Sequence, residues 1–330
     1  DTEGKEDHQG TDLGWSIHDM AHVGKREKWL SILKFWSPQY WPTWLLIGFM
    51  KLVSYLPFAL QIKFGKLLGY MTFYLAKSRR HICEVNLKLC YPELKNEELQ
   101  NLVKKTFISN GIGLIETAIV WHRDPNEFKS KLTVSGLENL MDAVADGRGV
   151  LLICAHFTTL EIGGFLLSLF QEMDVTYRPF KNCLFDHAML RGRSRHYPSV
   201  IDRKDIRSAL KSLKKGNVLW YAPDQDYGPK HSVFVPFFGV NAATITATAR
   251  IADFNNSAVI FFSHYRKDDD SGYELRFSKK LENYPTGESK TDASIINKLI
   301  EKAIRERPEQ YLWLHRRFKT QAAGKSARPY

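Results

Sequence analysis

The stretch GVLLICAHFTTLEIGG, residues 149–164, decides the fold of this chain. Its apolar run, 150–155, follows a glycine and ends at His156, and a helical pattern begins soon afterwards. A short apolar run bounded by glycine is typical of a buried strand, and Thr158 or Thr159 can cap the helix that follows. The sequence therefore predicts that His156 lies at the mouth of a strand-to-helix turn, where open α/β sheets usually bind their ligands.

Glu161 lies five residues after His156. On one continuous helix a step of that size turns by about 140°, so the two side chains would point apart. They can meet only if His156 lies in the turn and Glu161 in the first turn of the helix. Glu161 would then accept a proton from one imidazole nitrogen and leave the other as a base. The alternative is a histidine that caps the helix and contacts a nearby acid. The spacing argues against an HExxH zinc helix.

Length and composition limit the function classes. The 330 residues suffice for one large α/β domain or two smaller ones. A formal net charge of +11 favours anionic partners, namely nucleic acid, acidic lipid or an acidic carrier protein. The 13% of aromatic residues suits a membrane interface better than nucleic acid. The cysteines have no zinc-binding spacing and are predicted to be free thiols in a reducing compartment; they are Cys83, Cys90, Cys154 and Cys183.

The N-terminal part of the chain divides by composition into a polar tail, 1–28, and an apolar segment, 29–80. The tail has no apolar period, which predicts flexibility. Within the second segment, Trp41 to Leu60 is almost wholly apolar but contains Lys51, and basic residues flank both sides. Because a simple span should be basic on one side only, we expect a helical anchor embedded from the cytoplasmic face. A single tilted span and a buried core helix are the alternatives.

The remainder, 81–330, is predicted to be one catalytic domain. Strand and helix patterns alternate there, and two strand patterns flank DDDSG as in a hairpin. This organisation predicts an α/β fold with a central mixed β-sheet and helices on both faces. Strands are predicted at 132–134, 150–155, 175–180, 218–222, 258–265 and 273–278, and helices at 136–145, 183–195, 208–215, 242–253 and 293–306.

Five arginines fall within about one strand–helix unit after the His156 turn. Guanidinium groups bind phosphates and carboxylates with two parallel hydrogen bonds, so the cluster predicts an anion-binding site. A solvated basic surface is the alternative. The arginines are Arg178, Arg191, Arg193, Arg195 and Arg203.

The stretch YAPDQDYGP, residues 221–229, follows a predicted strand and should face the same crevice as His156. We expect Asp224, Asp226 and Tyr227 to contribute to substrate binding there, with the two acids pairing with crevice arginines. Two acids without a third ligand make a poor metal site, so no metal is predicted. No GxSxG elbow, phosphate-binding loop or GxGxxG motif occurs, which disfavours a serine nucleophile and a nucleotide site.

Taken in order, several stretches of the chain resemble the late (secondary) acyltransferases of bacterial lipid A biosynthesis, the lauroyl and myristoyl transferases. These enzymes are part of the wider glycerolipid acyltransferase-like group with its HX4(D/E) motif. The resemblance covers about residues 36–330 and rests on HFTTLEIGG (156–164), VTYRPF (175–180), RGRSR (191–195), IDRKDIRSALKSLKKG (201–216), LWYAPDQDYGP (219–229), FVPFFGV (234–240) and PEQYLWLHRRFKT (308–320).

The resemblance implies a donor acyl chain held as a thioester on acyl carrier protein. The implied acceptor is a hydroxyl of a 3-hydroxyacyl chain on a Kdo-bearing lipid A precursor. His156 would be the general base and Glu161 its partner, with no cofactor because the hydroxyl attacks the thioester directly. The implied location is the bacterial inner membrane, with the catalytic domain on the cytoplasmic side and no nucleic acid as partner. The alternatives are a thioesterase or lipid hydrolase that uses water, and a non-catalytic binder of nucleic acid or anionic lipid.

Overall fold

The computed structural model describes residues 34–322 and 329–330. The predicted tail, 1–28, lies outside the described residues. The described residues divide between Leu46 and Ile47 into two compact units. In the first unit, the turns Lys34–Trp36 and Pro38–Tyr40 are 3₁₀ helices that precede the first α-helix. The predicted domain boundaries at residues 28 and 80 stay predictions.

The apolar segment forms two helices instead of one. Helix α1 spans Trp41–Ser54 and α2 spans Phe58–Leu75. Pro57 immediately precedes α2 and prevents one continuous helix there, because proline lacks an N–H and disfavours helical geometry in the residue before it. Within the described residues, no helix has the length and apolar character needed to cross a membrane. The membrane-anchoring role of this segment stays a prediction.

Two further helices follow, α3 at Lys77–Cys90 and α4 at Asn96–His122. Helices α2 and α4 approach each other through glycines. A Cβ atom added to Gly111 of α4 would lie 2.3 Å from the carbonyl oxygen of Gly65 and 2.3 Å from the amide nitrogen of Gly69, both in α2. Only residues without a side chain permit this backbone contact.

Seven strands form one sheet, namely β1 Leu132–Ser135, β2 Val150–Ile153, β3 Asp174–Tyr177, β4 Val200–Asp202, β5 Val218–Tyr221, β8 Ala258–Arg266 and β9 Tyr273–Phe277. Their order in the sheet is β1-β9-β8-β2-β5-β3-β4. Strands β8, β2, β5, β3 and β4 are parallel, β9 is antiparallel to β8, and β1 is parallel to β9. The predicted mixed sheet is confirmed.

Strand β2 is buried on both faces and organises the core. Leu151 and Ile153 join one apolar cluster, whereas Val150 and Leu152 join another on the opposite face. The helices after α4 are α5 Leu137–Ala145, α6 Leu160–Leu167, α7 Cys183–Arg193, α8 Ile206–Lys214, α9 Ala247–Phe254 and α10 Ser289–Glu306. Helices therefore cover both faces, as the continuous apolar run of β2 predicts.

The predicted helix at 242–253 is wrong in its first half. A separate hairpin of β6 (Ser232–Phe237) and β7 (Val240–Ile245) precedes α9. Its two turn residues, Phe238 and Gly239, have φ angles of 53° and 76°. Two-residue hairpin turns require such positive φ values, which Asn-Gly usually supplies. Because phenylalanine stands in the first turn position, the sequence lacks the usual hairpin signal.

The contact between α2 and α4 generates a stability prediction. Gly111→Ala should lower the free energy of unfolding by about 1–3 kcal/mol, because the methyl group has no space between two backbones. Gly48→Ala in α1 is the matched control, since a Cβ atom there meets no atom within 4 Å. That change should be neutral or stabilise by up to about 1 kcal/mol through helix propensity. Urea unfolding of both variants measures the difference, and equal effects would contradict the packing argument.

Candidate active site

His156 lies at the carboxyl edge of the sheet, as predicted. Strand β2 ends at Ile153, three residues earlier, and α6 begins at Leu160. Thr159 occupies the position before α6, but its hydroxyl does not cap the helix. It donates to the carbonyl oxygen of His264 at 2.8 Å and lies 2.9 Å from Nδ1 of the same residue. The turn is therefore fixed to β8, the neighbouring strand.

The partner of the His156 ring is Asp224. Nδ1 of His156 lies 2.6 Å from Oδ1 of Asp224, and the His156 backbone N–H donates to Oδ2 at 3.1 Å. The Tyr311 hydroxyl also donates to Oδ2, at 2.9 Å. Burial alone would raise the pKa of Asp224, but the charge of His156 and these hydrogen bonds outweigh it and hold the pKa at about 2.

The protonation of Asp224 determines what His156 can do. An ionised carboxylate only accepts hydrogen bonds, so Nδ1 of His156 carries the proton. When the ring is neutral, the lone pair of Nε2 is then left for a substrate. The His156 side chain is 21% exposed and lines a cleft, whereas Asp224 is 1% exposed. His156 therefore has the geometry of a general base oriented by a buried carboxylate.

Glu161 differs from the expectation. Its carboxylate accepts two hydrogen bonds from Arg193, one of them from Nε at 3.2 Å. The predicted orientation of His156 by Glu161 is not what the structure shows, because Asp224 occupies that place. Glu161 lies in the first turn of α6 and pairs with the last residue of α7. A catalytic role for Glu161 stays a prediction.

The predicted arginine cluster divides between the cleft and the surface. Arg178, Arg193 and Arg203 line a cleft of about 650 Å³ together with His156. Arg191 is exposed on α7 and is not among the residues that line this cleft. Arg195, also exposed, donates to the carbonyl oxygen of Trp121. Tyr227 lines the cleft as predicted, and the Arg203 guanidinium carbon lies 5.5 Å from the centre of its ring.

The predicted pairing of Asp224 and Asp226 with crevice arginines is wrong. Asp224 binds His156, and Asp226 accepts from the backbone N–H of Gly228 at 2.8 Å. Asp226 also accepts from the N–H and the hydroxyl of Thr320, at 2.7 and 2.8 Å. It is 5% exposed, so it fixes the loop to the C-terminal segment and does not face a substrate.

Sequence reasoning missed the C-terminal segment that supports the His156 turn. The Leu312 N–H donates to the His156 carbonyl at 2.9 Å, and the Thr158 N–H donates to the Gln310 carbonyl at 2.7 Å. Tyr311, between them, binds Asp224. The stretch PEQYLWLHRRFKT carries part of the family resemblance, but nothing in its pattern assigns these contacts, because the partners lie far away in the chain.

The cleft is polar at its rim and apolar at its floor. Arg79 and Arg178 are exposed residues of the lining. The buried lining residues include Cys154, Val175 and Trp220. Burial raises the pKa of the Cys154 thiol well above its ordinary value, so it is no nucleophile. Such a cleft suits an apolar chain that carries an anionic group at its mouth.

All four cysteines are free, as predicted. Among residues 34–322 and 329–330, no group of three or more His, Cys, Asp or Glu side chains is arranged to hold a metal ion.

Comparison with known proteins identifies the family. Residues 32–320 match the family model described as bacterial lipid A biosynthesis acyltransferase. The chain belongs to this family. It is therefore an acyltransferase, and the resemblance seen in the sequence is confirmed.

Three relatives of this lipid A acyltransferase family match along nearly their whole length. The lipid A biosynthesis palmitoleoyltransferase of Escherichia coli (strain K12) is 40% identical over 89% of this chain and 96% of its own. The lipid A biosynthesis lauroyltransferase of the same strain is 41% identical over 88% of this chain and 95% of its own length. A lipid A biosynthesis acyltransferase of Haemophilus influenzae is 34% identical over 90% of this chain and 96% of its own length.

We expect buried His264 to make the folded protein less stable in acid. Burial, and then the charge of His156, lower the pKa of His264 to about 3. An unfolded histidine titrates near pH 6.5. Between these values the unfolded chain binds a proton that the folded chain does not, so stability falls as the pH falls, by up to about 1.4 kcal/mol per pH unit. His264→Phe should flatten this slope in urea unfolding between pH 7 and 5.

The matched control for this prediction is His81→Phe, because His81 is exposed. That variant should keep the slope of the unmodified chain. An unchanged slope in His264→Phe, with normal folding at neutral pH, would contradict the assignment of acid sensitivity to His264.

Proposed function

We propose that the protein transfers a fatty acyl chain from acyl carrier protein to a hydroxyl of a 3-hydroxyacyl chain on a Kdo-bearing lipid A precursor. The observation that carries the proposal is the Asp224–His156 pair, at 2.6 Å, beside a cleft with a cationic rim and an apolar floor. The relatives are named as palmitoleoyl and lauroyl transferases of lipid A biosynthesis, which supports the same reaction class.

The proposed reaction is a direct acyl transfer. Nε2 of His156 takes the proton of the acceptor hydroxyl, and the oxygen attacks the thioester carbonyl carbon. The C–S bond then breaks, and the leaving thiolate takes the proton from His156, which gives an ester and a free carrier thiol. Asp224 stabilises the imidazolium that forms in between. Because the hydroxyl attacks the thioester itself, the proposal requires no cofactor.

The arginines of the cleft have different tasks in this proposal. Arg193 is already paired with Glu161, which leaves it little capacity to bind a further anion. Within the described residues, neither Arg178 nor Arg203 takes part in an ion pair, and both line the cleft. We assign these two to the phosphate and Kdo carboxylate groups of the acceptor, because guanidinium binds such groups with two hydrogen bonds.

Product mass tests the reaction. Purified protein is incubated with the tetra-acylated Kdo lipid A precursor and with lauroyl, myristoyl or palmitoleoyl carrier protein. The proposal expects a precursor heavier by one acyl chain and a stoichiometric amount of free carrier thiol. Free fatty acid with an unchanged precursor would establish hydrolysis by the same pair, and neither product would contradict both functions.

The roles of the two loop aspartates can be separated by variants. His156→Ala should lower kcat by about 10²–10⁴-fold, because a positioned base contributes that much. Asp224→Asn should lower kcat by a comparable factor, since an amide no longer stabilises the imidazolium or fixes the tautomer. Asp226→Asn, in the same loop, is the matched control. It should lower the free energy of unfolding but reduce kcat much less than Asp224→Asn does. Equal kcat losses in the two aspartate variants, with both folded, would contradict the role of Asp224.

We further propose that the protein acts at the cytoplasmic face of the bacterial inner membrane. One face of α2 exposes large apolar side chains three or four residues apart, a spacing that places them on a single side of the helix. They are Leu60, Phe64, Leu67, Met71 and Leu75, and Leu75 is 76% exposed. An exposed apolar face of this size marks a membrane or protein contact, and the neighbouring Lys63 and Lys77 suit anionic headgroups.

Membrane binding through α2 has a surface test. Leu67→Glu with Leu75→Glu should lower binding to anionic vesicles by about tenfold or more, since each buried leucine contributes about 1.5–3 kcal/mol. Phe254→Glu is the control, because Phe254 is 56% exposed on α9. Deletion of α2 is a poorer test, as it would uncover the glycine face of α4. Unchanged vesicle binding by the double variant would contradict the assignment.

A further inference from the structure

Helix α8 carries a stripe of cations along its exposed face. Arg207, Lys211 and Lys214 are exposed and recur every three or four positions, which places them on one side of the helix. Two further exposed cations flank the helix, Lys204 in the turn before it and Lys215 directly after its last residue. The opposite side of α8 is buried through Ala209, Ser212 and Leu213. We call these five cations the α8 stripe.

The charge of the α8 stripe is not neutralised by the protein itself. Among the described residues, none of its five members takes part in an ion pair. Asp205 is the single acid between Arg203 and Gly216. Its carboxylate accepts from the Ser208 N–H at 3.0 Å, so it caps the helix. Unpaired like charges on one helix repel each other, and an acidic partner would relieve that repulsion.

The position of the stripe relates it to the cleft. Strand β4 ends at Asp202, and Arg203, the next residue, lines the cleft that contains His156. Lys204 follows Arg203 directly, so the stripe begins at the rim and continues away along α8. Ile206, 45% exposed, adds an apolar contact at the same end. A partner bound on α8 would therefore lie next to the opening through which a thioester must reach His156.

We infer that the α8 stripe is the docking surface for the acidic carrier protein that delivers the acyl chain. The inference rests on the proposed function. A carrier must dissociate after every turnover, and exposed charge pairs give fast, weak and salt-sensitive association of that kind. An anionic membrane is the competing partner, but the large apolar side chains suited to a membrane lie on α2, whereas α8 exposes one, Ile206.

Charge reversal on the stripe tests the inference in the full-length protein. The triple variant Lys204→Glu, Arg207→Glu, Lys211→Glu should raise KM for acyl carrier protein by about 10–100-fold with kcat nearly unchanged. Its KM should also depend less steeply on salt. Turnover of a small acyl-pantetheine thioester, which makes no protein contact, should be unaffected. Lys298 and Lys302 are exposed on α10, and Lys298→Glu with Lys302→Glu is the matched control. It should leave KM and kcat unchanged with both donors.

Each other outcome has a definite meaning. If the unmodified protein acylates the precursor from the small thioester but not from the carrier, the proposed donor is wrong, and the docking surface with it. If it uses the carrier and the triple variant keeps its KM, the docking surface alone is overturned. Loss of binding to anionic vesicles by the triple variant, with KM unchanged, would assign the stripe to a membrane. If the triple variant loses activity equally with the carrier and with the small thioester, the substitutions have damaged the site itself, and the inference is also overturned.

Discussion

The site depends on one buried carboxylate. Asp224 accepts hydrogen bonds from the ring and the backbone N–H of His156 and from the Tyr311 hydroxyl. A buried carboxylate without such partners would be protonated at neutral pH. Because three donors converge on it, Asp224 stays ionised and fixes both the position and the tautomer of the imidazole. The rest of the site can then be understood as the scaffold that keeps these donors in place.

That scaffold is a second buried polar network behind the His156 turn. Arg266 of β8 binds Glu116 of α4 through two hydrogen bonds of 2.9 and 2.8 Å, and both side chains are nearly inaccessible. Ser109 connects this pair to Thr158, at 2.7 Å. Breaking a buried ion pair by removing one partner typically costs about 3–5 kcal/mol, because a charge is left uncompensated. The network therefore holds α4, the sheet and the His156 turn in one fixed arrangement.

The sequence predicted those features that depend on local pattern. The apolar run of β2, the turn at His156 and the DDDSG hairpin all follow from periodicity and turn chemistry, and the structure confirms them. The partner of His156 could not be found in this way. Glu161 is near in sequence, whereas Asp224 lies 68 residues away and reaches His156 only because β5 is paired with β2. Pairing in a parallel sheet brings loop residues together independently of their spacing, and no local signal encodes that choice.

The same reasoning explains how the arginines divide. Sequence proximity grouped five arginines, but they lie after β-strand ends and on or just after a helix, so their side chains point in different directions. They are Arg178, Arg191, Arg193, Arg195 and Arg203. Arg193, at the end of α7, forms an ion pair with Glu161, so its charge is neutralised within the protein. Arg178 and Arg203 directly follow β3 and β4, whose carboxyl ends form the rim of the cleft. Parallel neighbouring strands thus place two cations at one edge of the sheet, where they can bind the anionic groups of the proposed acceptor.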